Sequence, residues 1–273
     1  MPGWFWDVTG WLSLRRDRVR FVIRHLLVRD LRVAPQTEHV NGGPPGADYL
    51  ARLDGLAAAR RLVPQPAGLL YVTRAGLPAQ GKGGHAGEGY LVAILHRAAA
   101  AGADIRVLDP GCTPLVGQLS LYAGAAQIVF AEGSALHGRQ LLGYRAQGIA
   151  VLTRRPGLQV ARSALSARCD RLTHVAAARR IAMPVRRDGT PMPALALGFY
   201  DIPVLLAAFA ERGVDLARDW DDAGFVAARD ADLRAWTRAV TGPLPARAQI
   251  AALAGAFQAE GLGRPQDWRR SGP

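Results

Sequence analysis

Apolar and polar positions change rhythm along this chain, and the changes mark its elements. Leu50, Leu53, Leu56 and Leu62 recur at helical spacing over 49–62, and Pro64 and Pro66 then break the chain. From residue 67 short apolar runs alternate with helical periods. Leu69–Thr73, Asp104–Leu108, Gln127–Phe130 and Ile149–Thr153 are β-prone and unbroken by polar residues. Between them, Leu91, Ile94, Leu95 and Ala98 predict a helix over 88–100. Leu115, Leu119, Tyr122 and Ala126 predict one over 115–126, and a third is expected over 135–147. Strand–helix alternation at this spacing predicts an α/β fold: a Rossmann-like parallel sheet with right-handed crossovers. Residues 173–200 hold strand-like pieces such as His174–Ala178, and 201–212 and 222–240 read as helices. Three parts follow: 1–66, a core over 67–240, and 241–273 as a helix and frayed tail from Gly261.

In such sheets ligands bind beyond the C-terminal strand ends. That rule selects the loops 74–87, 109–114 and 131–137. The densest polar cluster lies on the last, Ala131-Glu132-Gly133-Ser134-Ala135-Leu136-His137. Gly133 permits a turn closed to other residues, and Ser134 is placed to cap the next helix. The first amides of that helix would then face the loop and suit a phosphate. Glu132 has the chemistry to accept sugar hydroxyls, and His137 to donate to phosphate or transfer a proton. The plainer alternative is a capping serine, a charge at a helix start and a satisfied histidine. Arg74, at the end of the first strand, has the geometry for bidentate phosphate contacts, against the alternative of a surface arginine. Glu88 opens the helix at 88–100, and Gln118 lies in the first turn of the next.

Composition adds a sign. The 273 residues carry 34 Lys+Arg against 22 Asp+Glu, a net charge of +12, and Lys82 is the single lysine. Residues 67–200 hold 15 basic and 6 acidic side chains, whereas 201–273 hold 9 and 10. An anionic partner follows, unless the arginines only reflect an Arg- and Ala-rich genome. Nucleic acid is disfavoured, because 67–200 lacks the aromatics interleaved with basic residues that single-strand binders use. The N-terminus places Trp4, Phe5, Trp6 and Trp11 before Arg15, Arg16, Arg18, Arg20 and Arg24. That order suits peripheral contact with an anionic membrane, against the alternative of an ordinary basic, partly buried helix or strand. Cys112 and Cys169 are far apart and make no CxxC, so a reducing compartment is the default. No signal peptide or membrane-length apolar run is read, and the chain is expected in the cytoplasm. The loop Gly81-Lys82-Gly83-Gly84 lacks the full GxxxxGK[ST] phosphate-binding motif, so P-loop nucleotide hydrolysis is disfavoured. GxGxxG, GxSxG and HExxH are also missing.

The run from Pro110 through Pro114-Leu115-Val116-Gly117-Gln118 to Ala131-Glu132-Gly133-Ser134-Ala135-Leu136-His137 resembles glycosyltransferase family 61. Tyr71-Val72-Thr73-Arg74 is similar to that family's first strand end, Ala86-Gly87-Glu88-Gly89-Tyr90-Leu91 to its helix start, and Val151-Leu152-Thr153-Arg154-Arg155 to a downstream strand. The likeness covers roughly 67–160 and is looser elsewhere. Glu132 stands where many members have His and Gly138 where many have Asn, and the single asparagine, Asn41, lies far away. The resemblance implies a GT-B-like enzyme with a short, incomplete N-terminal α/β portion on the acceptor side. It would transfer a sugar from a nucleotide-sugar donor to a glycan or surface-polysaccharide acceptor, invert configuration, and need neither metal nor cofactor. It implies catalytic roles for Glu132, His137 and Glu88, and a donor site of Arg74, Gln118, Gly133, Ser134 and Ala135. The alternative is an inactive member that binds glycan or scaffolds polysaccharide assembly.

Overall fold

The computed structural model describes residues 3–33, 37–38, 43–155, 157–242, 247–265 and 267–270. Asn41 therefore lies outside the described residues. Helix α1 (Gly3–Trp11) and helix α2 (Ala47–Ala59) precede the sheet. Then follow β1 (Ala67–Val72), β2 (Gly84–Ala86), α3 (Glu88–Ala100), β3 (Ile105–Leu108), α4 (Leu115–Gly124), β4 (Ala125–Ala131), α5 (Leu136–Arg139) and β5 (Gly148–Leu152). The rest is α6 (Arg162–Ser166), β6 (Arg171–Val175), β7 (Ala178–Ala182), β8 (Leu197–Tyr200), α7 (Ile202–Ala210), α8 (Asp222–Thr241), α9 (Arg247–Ala259) and α10 (Asp267–Arg270).

Five strands form a parallel sheet in the order β3-β1-β4-β5-β6. The apolar runs are continuous because both faces of this sheet are covered. Leu70, Val72, Ile128, Phe130, Ile149 and Val151 point to one side, against α4 and the N-terminal helices. Leu69, Tyr71, Val129, Ala131, Ala150 and Leu152 point to the other, against α3 and α7. The chain leaves β1 toward β3 on one side and returns past β1 to β4 on the other. The strand order thus reverses between β1 and β4, which sets a crevice at their C-terminal ends.

Three expectations change beyond residue 66, and the portion before it, expected to be α/β, has helices but no strand among the described residues. The expected helix over 135–147 stops at Arg139. Arg139 is fully buried, and its guanidinium bonds the carbonyls of Gly143 (2.9 Å) and Arg168 (2.8 Å) and the amide oxygen of Gln147 (2.7 Å). Gly143, whose amide bonds Asp54, sits so close to α2 that a Cβ there would overlap the Asp54 carboxylate. The amides of Arg145 and Gln147 bond the carbonyls of Arg168 and Arg145, so they do not continue a helix past Arg139. The second change is a further three-stranded sheet, β2-β8-β7, in which β2 pairs parallel with β8 and β7 antiparallel with it. Helices α8 and α9 pack on it through Leu233, Trp236, Leu253 and Phe257. The end of the chain is less frayed than expected: Leu262 is buried, and the Trp268 ring meets Phe257 edge-on at 6.1 Å.

Trp236 joins the two layers. It is fully buried and donates its indole N–H to the Leu195 carbonyl at 3.0 Å. Trp236→Ala is expected to cost about 3–5 kcal/mol. A urea titration checks this: the midpoint falls while the slope stays constant.

Candidate functional site

The crevice between β1 and β4 gathers four of the residues expected there: Arg74, Glu88, Glu132 and Gly133. Arg74 follows β1, and its Nε and Nη2 donate to the Gly83 carbonyl at 3.3 and 2.8 Å. Its third nitrogen, Nη1, lies against Gly133, where any Cβ would overlap it. Gly133 is not in the left-handed region, so this glycine supplies space for a guanidinium and not an unusual turn. Burial lowers the Arg74 pKa below its ordinary value, and Glu88 and Glu132 pull it back up.

Both carboxylates turn inward. Glu88 is fully buried at the start of α3, where its Oε1 accepts from the Arg74 amide (2.7 Å), Thr73 Oγ1 (2.8 Å) and Tyr71 OH (2.8 Å). Burial raises its pKa, and these donors oppose the rise. Glu132 is also fully buried. It accepts from the backbone amides of Arg154 (3.0 Å) and Arg155 (3.2 Å) and from Arg155 Nε (2.6 Å). The structure thus buries both Glu88 and Glu132, for which catalytic roles are expected from the resemblance. Glu132 and the Oε1 of Glu88 tie strand ends together, whereas Glu88 Oε2 has no hydrogen-bond partner among the described residues.

The expected helix start after β4 is corrected. Helix α5 spans four residues, its N-cap is Ala135, and no side chain caps it, so Ser134 has no capping role. Ser134 is exposed and Ala135 half-buried. His137 is exposed, with Nδ1 3.3 Å from Gln140 Oε1. Gln118 is spent on the loop before α4, where its Nε2 donates to the carbonyls of Pro110 (3.1 Å) and Thr113 (2.8 Å).

Sequence reasoning missed what covers this crevice. Gly83 and β2 run over the strand ends, beside Ala194 and Ala196. Arg154 sits beneath and donates to the carbonyls of Ala196 (2.6 Å) and Ala194 (3.2 Å). Burial brings its pKa down to about 10 against the pull of Glu132. His85, on β2, is fully buried and stacks on Tyr200 at 4.4 Å. Neither His85 nitrogen makes a well-formed hydrogen bond. Burial, with Arg154 nearby, lowers its pKa to about 3, so the ring is neutral. Asp232 on α8 accepts from the Gly87 amide at 2.9 Å. Its signal in the sequence was an acidic residue beside the apolar positions Leu233 and Trp236 of the same helix. Lys82, on the covering loop, is exposed.

The arrangement is three guanidinium groups, Arg74, Arg154 and Arg155, around the two buried carboxylates of Glu88 and Glu132. Arg155 retains 24% of its side-chain exposure, and Arg74 is half-buried with Nη1 unpartnered among the described residues. The excess positive charge suits an anion with several oxygens. Among the described residues no group of three or more His, Cys, Asp or Glu side chains is placed to hold a metal ion. Comparison with protein-family models, with curated proteins and with solved structures finds no match.

Asp232 carries a pH prediction. Burial, with Glu88 nearby, raises its pKa from 3.8 to about 6. The folded chain therefore holds this proton more tightly than the unfolded chain. The resulting stabilisation is complete below pH 3.8 and is lost as pH rises through about 6. Asp232→Asn keeps an acceptor for Gly87 and removes the titration. Its unfolding free energy is expected to fall less than that of the parent between those pH values, as read from denaturant midpoints.

Proposed function

We propose that this chain is a glycosyltransferase of GT-B-like design that takes a nucleotide-sugar donor at the β1/β4 crevice. The observation that carries this reading is Arg74. Its unpartnered Nη1 rests on a glycine at the point where the strand order reverses. A ligand's diphosphate belongs at such a point, and a fork of N–H donors matches its oxygens.

In this reading the acceptor hydroxyl attacks the anomeric carbon and the nucleoside diphosphate leaves with inversion. Arg74 and Arg155 stabilise the charge that develops on the leaving oxygens, which is the task a metal performs in other enzymes. With Glu88 and Glu132 buried, His137 is the titratable side chain left on the β4 loop to take the acceptor proton. The acceptor is a glycan or surface polysaccharide. A second reading, a non-catalytic glycan-binding or scaffold protein, is favoured by the same two carboxylates, whose oxygens serve the backbone of the strand ends.

A thermal-shift screen with uridine, guanosine, cytidine and thymidine diphosphates tests both. One of them at 100 times its Kd is expected to raise Tm by about 5 °C. Arg74→Ala removes the shift. Gly133→Ala removes it as well, by pushing the guanidinium out of place, with little change in Tm without ligand. Release of nucleoside diphosphate from the matching nucleotide sugar supports the enzyme, and a shift without turnover supports the scaffold. A chain indifferent to all four diphosphates would refute the donor site itself.

A further inference from the structure

The N-terminal segment leaves an apolar surface that the rest of the chain does not cover. Residues 19–33 form neither helix nor strand. Among the described residues sixteen large hydrophobic side chains are exposed, and eight of them lie within these fifteen residues. Ile23 is 92% exposed, Leu27 88% and Leu31 72%. Exposed apolar side chains scattered singly need no explanation, but a concentration of this kind marks a contact surface. The expected alternative, a basic, partly buried helix or strand, is met in part by α1, a helix whose Trp11 lies in the core, but not by residues 19–33.

Next to this arm stands an aromatic cluster. Phe21 lies 5.5 Å from Phe5 and 5.9 Å from Trp6, ring centre to ring centre, and the Arg16 guanidinium sits 4.9 Å over the Trp6 ring. Trp4, on the same helix, is 66% exposed. From Arg15 to Val33 the chain carries seven arginines against Asp17 and Asp30. Arg15 pairs with Asp17 and Arg32 with Asp30. Among the described residues Arg20, Arg24 and Arg29 have no carboxylate within ion-pair distance, in a chain whose net charge is already +12.

We propose that residues 4–33 form a docking surface for an anionic lipid bilayer. The charge selects this occupant. A second copy of the chain would bring another cluster of arginines against the first and be repelled. A neutral protein groove would leave Arg20, Arg24 and Arg29 without counter-charges. The pattern agrees: arginines recur every few positions between aliphatic residues, so the arm offers a solid partner no single apolar face. A bilayer interface takes both kinds at once, with aliphatic side chains and Trp rings entering the acyl boundary and guanidinium groups staying at the phosphates. This inference does not rest on the donor site and stands if that reading fails.

Co-sedimentation of the full chain with vesicles tests it. The chain is expected to bind phosphatidylcholine vesicles containing roughly one-third phosphatidylglycerol at least about tenfold more tightly than pure phosphatidylcholine, and to be released by added salt. Ile23→Ser, Leu27→Ser and Leu31→Ser combined, and separately Arg20→Gln, Arg24→Gln and Arg29→Gln combined, should each weaken binding about tenfold with no change in Tm, because these side chains are exposed. Failure to bind the anionic vesicles, equal binding to both compositions, or binding insensitive to salt overturns the proposal without reference to any variant. Variants that bind as the parent does overturn it too. So does a concentration-dependent dimer, seen by light scattering, that the triple serine variant abolishes.

Discussion

One buried carboxylate organises the functional edge of this protein. Glu88 receives three hydrogen bonds on a single oxygen, from a phenol, a hydroxyl and the backbone amide of Arg74. A carboxylate taken out of water is tolerated only where such donors replace the lost solvent. Meeting that requirement fixes the end of β1 against the start of α3, and so fixes where the Arg74 guanidinium emerges. Its other oxygen has no partner, and Asp232 stands near enough to feel the charge. Through the Gly87 amide, Asp232 brings α8 and its apolar face onto the small sheet. The cover over the strand ends thus depends on the acid beneath it.

Arginine does work here that the net charge alone does not reveal. Arg139, Arg154 and Arg168 are buried, and backbone carbonyls receive most of their N–H groups. Arg168 also meets Glu38 through two nitrogens, at 2.8 and 2.9 Å. A planar fork of donors can close several loops at once, where an ammonium would offer a point charge. Part of the basic excess is therefore architectural. Other arginines are exposed, among them Arg106, Arg171, Arg186 and those of the N-terminal arm, and Arg74 and Arg155 are half-buried.

The strand–helix core was readable because each central strand is buried on both faces and each helix shows its period. Elements 88–100 and 148–152 lie within a residue or so of their expected places. The small sheet was not readable, since Gly84–Ala86 is three residues long and its partner Leu197–Tyr200 lies in a distant part of the chain. The helix expected after Ser134 failed because the pattern cannot show that Arg139 turns inward. At the site, position proved legible and orientation did not. Arg74 and Gly133 meet beyond the strand ends, in two of the loops that the strand-end rule selects. Glu88 and Glu132 sit beside them, but a carboxylate at a strand end reads alike whether it faces a ligand or a neighbouring amide.

The scarcity of amines in this chain has a practical side. Lys82 is the only lysine, and it is exposed on the loop that crosses the strand ends between β1 and β2. The neighbouring Gly83 carbonyl is the group that Arg74 grips. An amine-directed fluorophore has a single lysine to choose, already seated at the rim of the crevice. Any occupant that draws Arg74 away from Gly83 would disturb the environment of that dye, making the loop a built-in optical reporter.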